Sequence, residues 1–175
     1  MKNRILILFV LVATLCACSS DSLINDDVNL TEANLKSNKA VERPFKISTQ
    51  GTWSVFPGDG VSCSALVLNA LGEGTASHLG SSTLLEEWCW NGAPNELGTR
   101  SITITADNGD ELWGTHNFIQ YTSQTTFEEV LVFNGGTGRF ENATGEFNES
   151  VAITFGDETM TFGTFTMSGV GTLSY

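Results

Sequence analysis

From residue 45 onward, hydrophobic and polar positions follow a repeat that is not helical. Runs of about ten β-favouring residues are broken at even spacing by Gly, Asn or Asp clusters, the pattern of an antiparallel sandwich or barrel. No stretch keeps the 3.6-residue period of an amphipathic helix. The pattern predicts strands near 45–56, 61–71, 79–90, 99–106, 111–122, 125–133, 145–155 and 158–173. Eight strands is the number whose closed barrel just holds side chains or one small ligand. Closure also removes the edges that Thr- and Phe-rich strands would offer for aggregation. The expected fold is all-β: a single eight-stranded antiparallel up-and-down barrel over residues 45–175.

Two hairpins can be registered from turn chemistry. Asn108-Gly109 is a favoured type I′ pair. A turn centred there sets Ile104 opposite Trp113 and Ile102 opposite Thr115. Ile102, Ile104, Trp113, Ile119 and Tyr121 then share one face, and Thr103, Thr105 and His116 the other. A turn centred on Gly156-Asp157 pairs Ile153 with Met160 and Val151 with Phe162. Beyond it, apolar parity passes to Phe165, Met167 and Leu173, which implies a bulge at Gly163. On this register Trp113, Ile104, Tyr121, Val151 and Phe162 line any cavity. A loop one residue longer or shorter inverts these faces.

The stretch 134–147 reads N-G-G-T-G-R-F-E-N-A-T-G-E-F. Its glycines suit positive φ, residues 139–143 fit one helical turn, and Phe140 is expected to plug a hydrophobic wall. G-G-T-G-R-F-E-N-A-T-G resembles the signature of allene oxide cyclase-like barrels, small calycin-type domains of many uncharacterised bacterial proteins. G-T-A-S-H-L-G at 74–80 is similar to a stretch that often precedes it there. The resemblance spans residues 45–175 and implies a calycin-like barrel. Its motifs are turn chemistry, so they bear on fold and not on activity.

The N-terminus carries an address. Lys2 and Arg4 precede an apolar run at 5–12, then Leu15-Cys16-Ala17-Cys18. A charged start, short apolar core and small residues before a cut make a secretory signal, too short to span a bilayer as a mature helix. Leu at −3, Ala at −1 and Cys at +1 resemble the bacterial lipobox. Residues 1–17 are expected to be removed and Cys18 acylated, giving firm membrane attachment. The alternatives are an ordinary signal peptide cut nearby or an unprocessed anchor. Residues 18–44, polar and without aromatics, read as a flexible tether. The expected location is the bacterial cell envelope, lipid-anchored, at the outer membrane on its periplasmic or surface side.

Removing Lys2 and Arg4 lowers the basic count from 8 to 6 against 20 acids, for a net charge near −14. Such a surface repels nucleic acid and anionic head groups. Expected partners are the membrane, through the N-terminal lipid, and a small apolar ligand. Oligomeric state is left open.

Cys63 and Cys89 remain after processing, on a disulfide-permissive route. Residues 72–78 lie midway between them, so the flanking strands would set them nearly opposite each other; the expectation is a Cys63–Cys89 bridge. His78 sits near a turn, and His116 falls on the Thr-rich outer face with no third ligand nearby, so no metal site or cofactor is expected. No Gly-x-Ser-x-Gly elbow occurs, and the glycines at 135–138 open no helix that could cradle phosphate. Trp53, Trp88, Trp90 and Trp113 serve as core, rim or stacking surface.

Two carboxylates carry a hint of chemistry. Glu149 shares the parity of Phe147, Val151 and Ile153, and Glu129 that of Phe127, Leu131 and Phe133. Facing a lumen, either would have a raised pKa and could move a proton or bind a ligand's polar end. The expectation is instead that each lies near a barrel mouth, reached by water. Three functions follow. The first is a non-enzymatic, lipid-anchored barrel that binds a small apolar molecule or surface partner. The second is a cyclase- or isomerase-like enzyme using a lumen acid. The third is a structural envelope lipoprotein with a filled barrel. The size and lining of the interior separate them.

Overall fold

A computed structural model describes residues 40–91 and 99–175. The expected signal peptide, Cys18 and nearly all of the expected tether lie outside the described residues. The described chain forms eight strands: β1 Glu42–Pro57, β2 Leu66–Ala76, β3 Gly80–Trp90, β4 Arg100–Ala106, β5 Glu111–Tyr121, β6 Thr126–Gly136, β7 Thr144–Phe155 and β8 Phe162–Ser174. They close in sequence order into an antiparallel barrel. β8 completes it against β1 through pairs such as Ser48↔Ser168 and Thr52↔Thr164. Thr- and Val-rich segments suit the pleated wall. Burial alternates along each strand, most regularly in β8, where Gly163, Phe165, Met167 and Gly169 face inward. β1 starts three residues earlier than residue 45: Glu42, Arg43 and Pro44 already pair with β8.

The even-to-odd connections, at 77–79, 107–110 and 137–143, lie at one end with the start of β1. This end is closed. Gly138, at φ 55°, opens a single 3₁₀ turn, Gly138–Phe140. That turn drives Phe140 fully inside, edge-on to Tyr175 at 5.0 Å. Above it Phe45, Phe133 and Phe147 form a triangle with centroids 5.0–5.2 Å apart. Leu112, Leu131 and Leu173 fill the gaps. The odd-to-even connections, including 58–65 and 156–161, lie at the opposite end, the mouth.

Three registers differ from expectation, each for a reason in the turns. In the β4–β5 connection Ala106 and Asp110 form the closing pair, which leaves three turn residues, 107–109, not two. Gly109 sits at φ 86° and Ala106 N–H donates to the Asp110 carbonyl, so Thr103 pairs with Trp113 and Ile104 with Leu112. The one-residue difference inverts β5. Leu112 enters the core, Trp113 turns out to donate to Glu111 Oε2 at 2.9 Å, and His116 turns in. A register shift between His116 and Phe118 resets the parity, so Tyr121 again borders the lumen. The β7–β8 loop runs to residue 161, so Ile153 pairs with Phe165 and Val151 with Met167. β8 then needs no bulge at Gly163, and Phe162 is exposed on the outside. Finally, β2 begins at Leu66. Cys63 lies in the loop before it rather than across a ladder from Cys89, which pairs with Val67. The Cys63–Cys89 disulfide forms from that loop, with Cα atoms 5.5 Å apart.

Candidate functional site

Midway up the barrel, five strands each point one ionisable side chain inward. β3 supplies Glu86 between Leu84 and Trp88. β4 supplies Arg100, two residues before Ile102. β5, inverted by its turn, supplies His116, and β6 and β7 supply Glu129 and Glu149. The strand pairings hold these groups on one level, with Glu129 directly opposite Glu149 and Arg100 opposite Trp88. The side chains of Arg100, His116 and Glu129 are sealed from solvent, whereas that of Glu86 keeps 13% of its surface.

The contacts run in a chain. Arg100 Nη1 lies 3.1 Å from Glu129 Oε1, and its guanidinium stacks on Trp88, 3.1 Å from the ring centroid. His116 bridges two acids: its Nδ1 faces Glu129 and its Nε2 lies 3.3 Å from Glu86 Oε1. Glu149 makes no ion pair among the described residues. Both of its carboxyl oxygens are buried, and its hydrogen-bonding neighbour is the Glu129 carboxyl directly across the ladder. Even with His116 protonated, two cations face three carboxylates, and like charges directly across a ladder repel. The cluster therefore favours a neutral Glu149. Burial pushes the Glu149 carboxyl well above the ordinary range, and the charges of Glu86 and Glu129 push it further while Arg100 opposes. Burial also raises Glu86; His116 and Arg100 pull it back, and Glu129 adds to the rise.

Glu86 is where this cluster meets space. A lumen cavity of about 210 Å³ lies between the cluster and the mouth. Leu68, Val151 and Phe165 are among its apolar walls, Trp53 and Trp88 its aromatic ones, and Tyr121, Phe155 and Met160 its opening. Glu86 is the one carboxylate among its lining residues. The volume exceeds that of the roughly 150 Å³ apolar cavity known to take benzene. A larger concavity of about 840 Å³ lies on the outer wall, among residues such as Lys46, Ser48 and Ser168.

Glu86, His116 and Glu129 bring one ligating atom each within 4.8 Å of one another. Two features argue against a cation there. Arg100 already neutralises Glu129, and the imidazole gives opposite nitrogens to the two acids, whereas one ion binds one nitrogen. The arrangement is better suited to moving a proton: a carboxyl that reaches a cavity, an imidazole behind it and a second carboxylate fixed by arginine.

Of the residues singled out from sequence, Glu129 and Glu149 are 1% and 2% exposed, in the lumen and not at a wet mouth. The inversion of β5 brings His116 between them and Glu86. Ile104 is in the closed-end core, Val151 and Tyr121 line the cavity, and Trp113 and Phe162 stand outside. Trp53 and Trp88 line the cavity, while Trp90 is 40% exposed. His78, at φ 70° in the β2–β3 turn, lies at the closed end with Nε2 3.0 Å from the Pro44 carbonyl oxygen. Glu86 and Arg100 were missed. Arg100 shares parity with Ile102 and Ile104, a signal that was available. Glu86 sits in Leu84-Leu85-Glu86-Glu87, where doubling makes both parities read alike.

No protein-family model matches the chain, and no curated protein does. Among solved structures, it is similar to a pterocarpan synthase dirigent protein at 12% identity and a TM-score of 0.46. The match covers 86% of this chain and 98% of that one. That likeness gives no residue of this chain a role.

Proposed function

We propose that this protein is a lipid-anchored envelope barrel that takes a small, mainly apolar molecule into its lumen and moves a proton on it, in the manner of an isomerase or cyclase. The observation that carries this reading is Glu86: one carboxyl with a raised pKa, at the floor of an apolar cavity, backed by His116 and Glu129. The cavity is why a filled, purely structural barrel is not adopted, and the buried acid is why simple binding is not. Anchoring rests on the lipobox-like Leu15-Cys16-Ala17-Cys18.

In this reading the Glu86 carboxylate takes a proton from a carbon beside a substrate carbonyl. The C–H bond breaks, an O–H forms on Glu86, and the electron pair moves to the carbonyl oxygen. In a β,γ-unsaturated substrate the pair then returns from oxygen, the double bond shifts into conjugation, and the γ carbon takes the proton back from Glu86. His116 holds Glu86 in place and buffers its charge, while Arg100 fixes Glu129 behind it. Trp53, Leu68 and Trp88 keep water from the reacting carbon.

Cyclohexanone in D₂O is a suitable probe. The protein should speed deuterium uptake beside the carbonyl, read by mass spectrometry, and Glu86→Gln should abolish the acceleration. Uptake at the buffer rate with the intact protein, or undiminished uptake with Glu86→Gln, would contradict the proposal. Shifts of cavity methyl signals without exchange would favour the binding-only reading.

A further inference from the structure

Apolar side chains are exposed at the mouth in an arrangement that the lumen alone does not explain. Tyr121, Phe155 and Met160 border the opening and are 61%, 38% and 59% exposed. Just outside them stand Phe56, Val61 and Phe162, at 50%, 91% and 46%. The two loops involved lie at the same end of the barrel, and Val55 N–H of β1 donates to the Thr161 carbonyl at 2.7 Å, which ties the β7–β8 loop to that strand.

Both loops are held so that an apolar tip projects. In the β1–β2 loop, Asp59 Oδ1 accepts from the amides of Val61, Ser62 and Cys63 at 2.8–3.0 Å. Those bonds hold its carboxyl down at about 2, and the Cys63–Cys89 disulfide staples the loop to β3. Val61 at its tip is therefore exposed by a fixed backbone, not by slack. In the β7–β8 loop, Met160 occupies φ 53°, a region unfavourable for any residue with a side chain. Its N–H donates to the Asp157 carbonyl. Two fixed apolar tips around an apolar opening are the features of a surface that enters an interface.

We infer that the mouth rim docks into the head-group region of a neutral lipid bilayer, so that the lumen opens onto lipid and not onto water. Charge selects the lipid: Asp59, Asp157 and Glu158 sit on the same loops, and they repel an anionic surface. Reach permits the same membrane that holds the lipid anchor. β1 starts at the closed end and its 16 residues lead to the mouth, a height of about 40 Å at a rise of about 3.3 Å and a tilt near 40°. The sequence between Cys18 and Glu42 has a contour length of about 80 Å at most, about twice that height. The inference does not depend on proton chemistry in the lumen.

Nitroxide labels at Met160→Cys and, as a closed-end control, at Asn108→Cys in the full chain test it. On adding phosphatidylcholine vesicles, the label at 160 should lose collisions with an aqueous nickel relaxant and gain them with oxygen, while the label at 108 stays in water. Vesicles rich in phosphatidylglycerol should weaken that change. Val61→Asp, with its disulfide verified intact, should return the label at 160 to water. The inference is overturned if both labels stay equally aqueous, or if Val61→Asp leaves the depth at 160 unchanged. Burial of the label without lipid, growing with protein concentration, would assign the rim to a second copy and overturn it equally. Catalysis lost by Glu86→Gln with docking retained would separate this inference from the lumen reading.

Discussion

The closed half and the mouth half of one barrel use the same strands to opposite ends. Below the ionisable level, the interior is phenylalanine and leucine at contact distance, with Phe140 as stopper. Above it, aromatic rings paired as Trp53–Phe155 at 5.7 Å and Tyr121–Phe127 at 5.6 Å surround about 210 Å³ of space. Between them lie five ionisable groups that a filled barrel would not need. The difference teaches that stability is concentrated at the closed end, where burial is complete. That leaves the mouth end free to hold a cavity and a strained electrostatic arrangement. Buried charges without full pairing cost stability, and such costs persist where surrounding structure fixes them and function uses them.

Substitutions can break the comparison, and they rank by expected effect. Phe147→Ala removes a ring packed on Phe45, Phe133 and the close-lying Gly169. It should cost about 3–5 kcal/mol in urea unfolding. Glu129→Ala strands Arg100 and should cost a similar amount, about 3–5 kcal/mol; a cost below that of a surface substitution would deny the cluster any electrostatic role. Reducing the Cys63–Cys89 bridge, whose ends are separated by 26 residues, should cost about 3 kcal/mol. It should leave the closed-half amides protected from hydrogen exchange.

Glu149→Gln sharpens the contrast through pH. The Glu149 carboxyl is raised in the folded barrel, first by burial and then by Glu86 and Glu129. A raised acid contributes stability in full below its unfolded pKa, and that contribution is lost as pH rises through the folded value. Glutamine stays neutral, so the variant should match the parent in acid and exceed it at neutral pH, read as thermal midpoints across pH. Equal midpoints throughout would place Glu149 in water. The smallest effect is expected at Met160→Ala, within about 0.5 kcal/mol, because that side chain shapes the opening and not the packing.

Much of this was legible in the sequence, and the failures have a common cause. Strand number and barrel closure follow from spacing and turn residues; the Cys63–Cys89 bridge is also expected, but it forms from a loop and not across the ladder that the spacing implies. The inward parity of Glu129 and Glu149 was also readable, because β6 and β7 alternate cleanly. What was lost was register. A three-residue loop at 107–109 and an irregularity after His116 change the face on which a residue stands, and neither leaves a mark in the hydrophobic pattern. His116 was therefore set outside, and the cluster around it had no centre. Burial of Glu129 and Glu149 depended in turn on Arg100 and His116, which only the closed barrel brings to their level.

The central claim is that the mouth half holds working acids and not wet surface carboxylates. Carbon-13 NMR titration of the glutamate carboxyls tests it most directly. Glu149 and Glu86 are expected to titrate above the ordinary carboxyl range, Glu149 the further. If Glu86 and Glu149 both titrate within the ordinary carboxyl range, the lumen holds no poised acid and the proton-transfer function falls.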